Sequence, residues 1–235
     1  MPFSYDYRTT FIHIPKTGGS SIEKALGIVT SENWGTVRHL EDKKVSFFSH
    51  NQHLTFLQIS RHHMDWLQNS DFILVSLRDP LERIYSHFIA RNGQWLQPNM
   101  IHSRLSFFWF IFFVLPLIRF STFFFGRATR IIYSQYEHII PQCIYLKGLN
   151  DFAIKNSKKV IYISLFTGDN DKIERLLSSV MGTSISIPHL RQSKSASRMT
   201  KIRNNLSDAF IHWLYRDDYK YLQTISTYIN AFPFN

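Results

Sequence analysis

The stretch from Thr10 to Ile22 constrains the fold more than any other part of the chain. Its first five residues are rich in β-formers and predict a strand, and the sequence Pro-Lys-Thr-Gly-Gly-Ser-Ser follows directly. Residues 20–26 then predict a helix that opens on hydroxyl side chains. A strand, a glycine-rich loop and a helix in this order allow the backbone to approach an anionic ligand closely. The stretch therefore predicts a binding loop for a phosphate-like group.

The side chains of this loop suit the same kind of ligand. The loop combines one cation, three hydroxyl groups and two glycines, which are Lys16, Thr17, Ser20, Ser21, Gly18 and Gly19. In nucleotide triphosphatases the lysine follows the glycines and precedes a hydroxyl residue that binds magnesium. Here the lysine precedes both glycines. A glycine-rich turn that binds no ligand is the alternative interpretation of the loop.

A second pattern of strand, loop and helix begins near residue 71. Residues 71–77 are an apolar run of strand length, and Arg78-Asp79-Pro80 comes next. Pro80 suits the first turn of a helix, with Asp79 as its cap. Arg78 is then expected at the end of a strand, and Ser86 two turns along the helix. The alternative is that the charged residues of this helix are only caps and surface pairs.

Both patterns resemble those of sulfotransferases that use 3′-phosphoadenosine 5′-phosphosulfate (PAPS), particularly carbohydrate sulfotransferases of the heparan 2-O-sulfotransferase kind. The resemblance implies that the loop from Pro15 to Ser21 binds the 5′-phosphosulfate, with Lys16 stabilising charge on the leaving phosphate oxygen. In this family the pattern R-D-P-x-x-R-x-x-S binds the 3′-phosphate, which implies that role for Arg78 and Ser86, with Arg83 as a secondary candidate.

Two further segments resemble parts of the same family. Residues 45–49 predict a strand that leads into His50-Asn51-Gln52-His53-Leu54, and the corresponding family segment carries the proposed general base. Aligning His-Leu-Thr-Phe on that segment identifies His53, while His50 stays a rival. A neutral imidazole can take the proton of an acceptor hydroxyl near neutral pH.

The segment that starts at residue 187 resembles the late family loop that closes over PAPS. The resemblance adds Ser193 and Lys194 to the residues expected to contact PAPS. A solvated basic loop is the alternative, because residues 189–203 hold five cationic side chains and no acidic ones.

The charge of the chain favours anionic partners. Lys and Arg number 27 and Asp and Glu number 17, which gives a formal net charge of +10. Cys143 is the only cysteine, so the chain forms no internal disulfide, which suits a reducing compartment. The first predicted strand starts by about residue 10 and leaves no room before it for the membrane anchor of Golgi family members. We therefore expect a cytoplasmic enzyme of bacterial type.

Residues 91–130 are rich in phenylalanine and carry five arginines and no acidic residue. The apolar part, residues 105–118, is short for a bilayer span and contains Pro116. Aromatic residues at helical spacing favour a helical layer packed over the sheet. A helix or hairpin at residues 105–125 that lies at a membrane surface, its arginines facing lipid headgroups, is the other interpretation. In this family the position forms the acceptor side of the site.

The second half of the chain predicts one further strand and two helices. Residues 158–165 predict a strand, residues 169–181 an amphipathic helix, and residues 206–229 one terminal helix with Arg216, Asp217 and Asp218 exposed.

Together the patterns predict a single α/β domain spanning residues 1–235, with a phenylalanine-rich insertion at about 95–130. The expected architecture is a three-layer parallel sheet flanked by helices, a P-loop-like sulfotransferase fold, with the ligand outside the carboxyl ends of the strands.

The resemblance implies transfer of the sulfuryl group from PAPS to a hydroxyl of a carbohydrate or glycolipid. The family chemistry needs no metal, and nucleic acid is not an expected partner. A magnesium-dependent nucleotide or small-molecule kinase is one alternative. A non-enzymatic basic protein that binds membrane or nucleic acid is another. The acceptor and the oligomeric state stay open.

Overall fold

The computed structural model describes residues 3–28, 53–95, 104–116, 138–164, 170–188 and 204–229. The strands of this part are β1 (Phe3–Ser4), β2 (Thr9–Ile12), β3 (Phe72–Ser76) and β4 (Lys159–Ile163). They form one four-stranded sheet in the order β1-β2-β3-β4. Strands β2, β3 and β4 are parallel, whereas β1 is antiparallel to β2. The chain is therefore an α/β protein with a mixed sheet.

The prediction of a wholly parallel sheet is wrong at the β1 edge. Residues 5–8 turn the chain back on itself, with Arg8 at φ 44°, so that Phe3 pairs with Thr10 in a hairpin. A strand of two residues is too short to produce an alternating pattern, which is why the sequence did not indicate it. The strands predicted at 71–77 and 158–165 are confirmed as β3 and β4.

Helices make up most of the remaining described residues. They are α1 (Gly19–Ala25), α2 (Phe56–His62), α3 (Met64–Asn69), α4 (Pro80–Trp95), α5 (Arg104–Trp109), α6 (Gln142–Tyr145), α7 (Leu149–Lys155), α8 (Asn170–Met181), α9 (Asn205–Leu214) and α10 (Arg216–Thr224). A π-helical segment, Phe110–Val114, continues α5, and a 3₁₀ turn, Ser226–Tyr228, follows α10.

Helices pack against both faces of the sheet. Alternate residues of the central strands point to opposite sides, as the pleat requires. On one side Ile73 and Val75 join a core with α2, α3 and α7, and on the other Leu74 joins a core with α1 and α8. Because both faces are covered, the strands read as continuous apolar runs in the sequence.

A third core joins α4, α5 and α9 beside the sheet. Phe107, Ile111 and Leu115 point from α5 and its π-helical continuation into this core, and Phe107 stacks on Tyr85 of α4 at 4.3 Å between ring centroids. The described part of the predicted aromatic layer, residues 107–116, therefore packs on other helices rather than on the sheet. Within the described ranges, none of the helices combines the length and apolar character that crossing a bilayer demands.

The terminal segment differs from its prediction in two ways. It forms two helices, because the chain leaves helical geometry at Tyr215, whose buried hydroxyl donates to the Ile139 carbonyl at 2.6 Å. Asp218, expected to be exposed, is fully buried. The predicted helix at 169–181 is confirmed as α8. The strand predicted at 45–49 and the loop at 189–203 lie outside the described residues.

Candidate active site

The parallel pairing of β2 and β3 brings the two predicted loops together. Ile12 pairs with Val75, so both strands reach the same edge of the sheet at their carboxyl ends. The loop that begins at His13 and the loop that contains Arg78 therefore leave the sheet side by side. This edge is where ligands bind in open α/β sheets.

Arg78 joins the two loops through its guanidinium group. Its Nη1 donates to the main-chain carbonyl of Lys16 at 3.3 Å, and its Nη2 contacts the Glu82 carboxylate at 3.4 Å. The main chain of Arg78 is held by the side chain of Gln142, which accepts from the Arg78 N–H at 3.1 Å and donates to its carbonyl at 2.7 Å. The buried side-chain amide of Gln142 thus fixes the position of the Arg78 main chain.

Arg83 holds the same loop from inside the protein. This side chain is fully buried, and its Nε donates to the Pro15 carbonyl at 3.0 Å. Its Nη2 donates to the carbonyls of His138 at 3.0 Å and Ile140 at 2.7 Å. Arg83 therefore connects the glycine-rich loop to residues 138–140, which is a positioning role.

The two arginines determine how the loop amides point. The Pro15 and Lys16 carbonyls face Arg83 and Arg78, and the peptide bonds of the described residues are trans. In a trans peptide the N–H points opposite to the C=O. The N–H groups of Lys16 and Thr17 consequently point away from the arginines that bind their peptide carbonyls. Lys16 has φ 67°, a left-handed conformation that is uncommon outside glycine.

The Thr17 hydroxyl belongs to the framework of the site. It donates to the Ile14 carbonyl at 2.6 Å and lies 2.6 Å from the Ser76 hydroxyl at the end of β3, and both side chains are buried. The contact ties the loop to the central strand. The main-chain N–H is the group of Thr17 that can meet a ligand.

The two glycines of the loop are needed for different reasons. Gly18 precedes α1 with φ 84°, in the left-handed region that favours glycine. Gly19 lies under the imidazole of His13, and a Cβ there would stand 2.1 Å from Cδ2 and 2.3 Å from Nε2. Ser20 and Ser21 follow in the first turn of α1 and are partly buried.

His13 links the loop to the predicted general base. Its Nδ1 lies 2.9 Å from the Glu23 carboxylate, and both side chains are buried. Its main-chain carbonyl lies 3.1 Å from Nδ1 of His53, and the two rings meet edge to face at 4.5 Å between centroids. Since a carbonyl only accepts, Nδ1 of His53 carries the proton, and the lone pair of the neutral ring is on Nε2.

Two further imidazoles, those of His138 and His87, follow that of His53 in a row of neighbouring rings. The His53 ring centroid lies 5.6 Å from that of His138, which lies 5.4 Å from that of His87. We call His13, His53, His138 and His87 the imidazole row. Within the part of the chain described, no group of three or more His, Cys, Asp or Glu side chains is arranged to hold a metal ion.

The pKa of Arg78 depends first on burial and then on its charged neighbours, of which Glu82 has the largest effect. Burial lowers the pKa of Arg78, while the nearby Glu82 carboxylate acts in the opposite direction. Arginine ordinarily loses its proton only far above neutral pH, so Arg78 is a cation in the site. Glu82 is partly exposed and can turn toward solvent if an anion takes its place.

The structure thus brings Lys16, Arg78 and His53 to one edge of the sheet. Ser86 lies on α4, one turn beyond Glu82, and is partly buried. His50, Ser193 and Lys194 lie outside the described residues.

Sequence reasoning missed three buried residues that support the site. Gln142 holds Arg78, Glu23 holds His13, and Asp218 accepts from the main-chain N–H groups of Gln142 and Cys143 at 2.8 and 2.9 Å. The signal for them in the sequence was weak: Glu23 stands beside Ile22 on the face of α1 that becomes buried, and Gln142 begins a short, largely apolar run after Pro141.

Comparison with known proteins adds no relative, since the chain matches no family model, no curated protein and no solved structure.

Proposed function

We propose that this protein is a PAPS-dependent sulfotransferase with a P-loop-like fold, and that it transfers a sulfuryl group to a hydroxyl of a carbohydrate or glycolipid. One observation carries the proposal. The guanidinium of Arg78 contacts the main chain of Lys16. This contact lies at the edge of the sheet where, by the family resemblance, the 5′-phosphosulfate and the 3′-phosphate of PAPS would bind. His53 contacts the carbonyl of His13, three residues before Lys16.

Each part of the site has a separate binding role in the proposal. The Lys16 ammonium and the main-chain N–H groups from Lys16 to Ser20 hold the 5′-phosphosulfate. Ser21 offers only its hydroxyl, because its main-chain N–H donates to the Gly18 carbonyl. Arg78 binds the 3′-phosphate, and Glu82 turns away as the phosphate enters. Ser86, on α4, binds the same phosphate. Ser193 and Lys194 close over the bound nucleotide from the late loop.

The proposed reaction is an in-line transfer with His53 as general base. Nε2 of His53 takes the proton of the acceptor hydroxyl while the hydroxyl oxygen forms a bond to sulfur. The bond from sulfur to the 5′-phosphate oxygen breaks, and its electron pair stays on that oxygen. Lys16 and the loop amides stabilise this developing charge, so the step requires no metal. The products are a sulfate ester, protonated His53 and adenosine 3′,5′-bisphosphate.

Calorimetric titration with adenosine 3′,5′-bisphosphate, with and without magnesium, tests the binding site. We expect binding that does not need magnesium, and its loss in Lys16→Ala and in Arg78→Ala. Lys24→Ala is the matched control, because Lys24 is an exposed cation on α1, the helix that follows the loop. Circular dichroism and thermal unfolding verify that each variant is folded. Unchanged binding in both loop variants, or binding only with magnesium, would refute the sulfotransferase.

Turnover with sulfur-labelled PAPS, measured against a panel of glycans and glycolipids, tests the chemistry. His53→Ala is expected to lose at least ~100-fold in rate, the lower range for removing a general base. The same variant should still bind adenosine 3′,5′-bisphosphate, since His53 acts on the acceptor. If His50→Ala alone loses the activity, the base is His50 and the assignment to His53 is wrong.

A further inference from the structure

The helix that contains residues 104–116 is apolar on two sides, and only one side is used by the core. Phe107, Ile111 and Leu115 are buried against α4 and α9. The opposite side exposes large apolar residues, which are Phe108, Trp109, Phe113 and Val114. Trp109 is 55% exposed and its ring lies on that of Phe113 at 4.4 Å between centroids. Folding of the described part therefore leaves half of this helix uncovered.

A second helix, distant in sequence, extends the same surface. Leu206 and Trp213 of α9 are 62% and 57% exposed, and they lie two helical turns apart. Ring contacts connect the two helices: Phe108 to Phe112 at 4.5 Å, Phe112 to Phe210 at 4.9 Å and Phe210 to Trp213 at 5.6 Å. We call this surface the aromatic platform, formed by Phe108, Trp109, Phe112, Phe113, Val114, Leu206, Phe210 and Trp213. A continuous exposed apolar surface of this kind marks an interaction site.

In the sequence, the charges on either side of the first platform helix have one sign. Residues 91–130 contain five arginines and no acidic residue, and the chain carries a net charge of +10. Asp208 is the only acidic residue in the two platform helices, and its carboxylate is turned inward, where it accepts from the Tyr85 hydroxyl at 2.8 Å. Arg216 and Asp217 follow α9 and are both exposed, so they offset each other.

We propose that the aromatic platform docks on the surface of an anionic lipid bilayer. Tryptophan and phenylalanine side chains flanked by arginines are the combination that binds the boundary between anionic headgroups and acyl chains. A second copy of the chain fits less well, because it would bring two arginine-rich segments of like charge together.

The helix that carries part of the platform also contacts the imidazole row, through a residue outside the platform. Phe110, in the π-helical segment, is 6.1 Å from His87 of the imidazole row, measured between ring centroids. The imidazole row therefore connects the platform helix with the candidate active site. If the proposed function is right, a chain docked on a bilayer favours an acceptor hydroxyl on a lipid-linked sugar.

Vesicle binding of the whole chain tests the platform without any measurement of sulfotransferase activity. Wild-type protein should sediment with vesicles of phosphatidylcholine and phosphatidylglycerol, and less with phosphatidylcholine alone. Brominated acyl chains should quench its tryptophan fluorescence. Trp109→Ser and Trp213→Ser should each weaken binding roughly tenfold or more, since each removes a ring that the bilayer would bury. Ile154→Ser is the matched control, because Ile154 is 81% exposed on α7, outside the platform.

Several outcomes would overturn the proposal. These are no binding of wild-type protein to anionic vesicles, unchanged binding in the two tryptophan variants, and an equal loss in Ile154→Ser. Equal binding to both vesicle types would overturn the anionic surface. Dimerisation that Trp109→Ser abolishes would assign the platform to a second copy, and retention by RNA without vesicle binding would assign the cations to nucleic acid. Vesicle binding by a protein that does not bind adenosine 3′,5′-bisphosphate would support the platform while refuting the proposed function.

Discussion

The packing of His13 over Gly19 gives a sharp test of how the loop is built. In Gly19→Ala the new Cβ would stand 2.1 Å from Cδ2 and 2.3 Å from Nε2 of His13. Contacts this short are not tolerated, so either the imidazole or the start of α1 must move. The imidazole is buried and bonded to Glu23, whose carboxylate is buried as well. Moving the ring therefore weakens or breaks this buried pair.

The expected loss of stability follows from three contributions. Overpacking a buried site costs about 1–3 kcal/mol, and a buried carboxylate that loses its hydrogen bond to His13 costs about 1–3 kcal/mol more. Alanine is the better helix former, which returns up to about 1 kcal/mol because Gly19 is outside the left-handed region. The free energy of unfolding should therefore fall by about 1–6 kcal/mol.

Chemical denaturation of a double-mutant cycle isolates this contact. Gly19→Ala is compared in the wild-type and in the His13→Ala background, where the ring that would clash is absent. We expect the substitution to change sign there, from clearly destabilising to neutral or stabilising by up to about 1 kcal/mol. An equal cost in both backgrounds would show that the imidazole is not the reason for glycine at this position.

Other residues give further predictions. Arg83→Lys should lower the free energy of unfolding by about 2–4 kcal/mol, because one ammonium cannot replace three hydrogen bonds to carbonyls; denaturation that shows less than about 0.5 kcal/mol would contradict this. Lys16→Gly should raise stability by up to about 1 kcal/mol by relieving the left-handed conformation, while titration shows lost nucleotide binding. Glu82→Gln should tighten binding of adenosine 3′,5′-bisphosphate roughly two- to fivefold, since it removes a partly exposed anion beside Arg78. His63 stacks on Trp66, and burial lowers the pKa of His63 from the ordinary 6.5. The neutral imidazole therefore contributes fully to stability above pH 6.5, and this contribution is lost as the pH falls below 6.5. In His63→Gln the free energy of unfolding, measured over a pH series, should depend less on pH below 6.5.

Local patterns located β2, β3, β4, α8 and the two loops, because each of these features depends on residues that are adjacent in the sequence. A continuous apolar run followed by Arg78 reports a buried parallel strand and its end, and two glycines after Lys16 report a tight turn. The contact between the loops was foreseeable as well, since parallel strands end at one edge. What the sequence could not indicate is the direction of each side chain. Thr17 was expected to offer its hydroxyl to a ligand, yet that hydroxyl bonds Ile14 and Ser76.

Long-range partners were beyond sequence reasoning for a physical reason. Gln142 lies 64 positions from Arg78, and Asp218 lies 76 positions from Gln142, so no periodicity connects them. The rings at 107–115 show a related limit: aromatic residues occur on every side of the helix, so spacing alone cannot tell the buried face from the exposed one. Only the packing of α4 and α9 against this helix separates the two faces.

The conformation of Lys16 connects the stability of the loop with its proposed function. A lysine at φ 67° carries a backbone strain that glycine would avoid. The strain is held by two arginines that bind the carbonyls on either side of the Lys16 α-carbon, one fully buried and one nearly so. Those same bonds point the neighbouring N–H groups away from the arginines, toward where an anion would lie in the proposal. The structure therefore uses two buried cations to orient peptide dipoles, and in the proposed function these dipoles, more than the seven-residue helix that follows, hold the phosphate-like group.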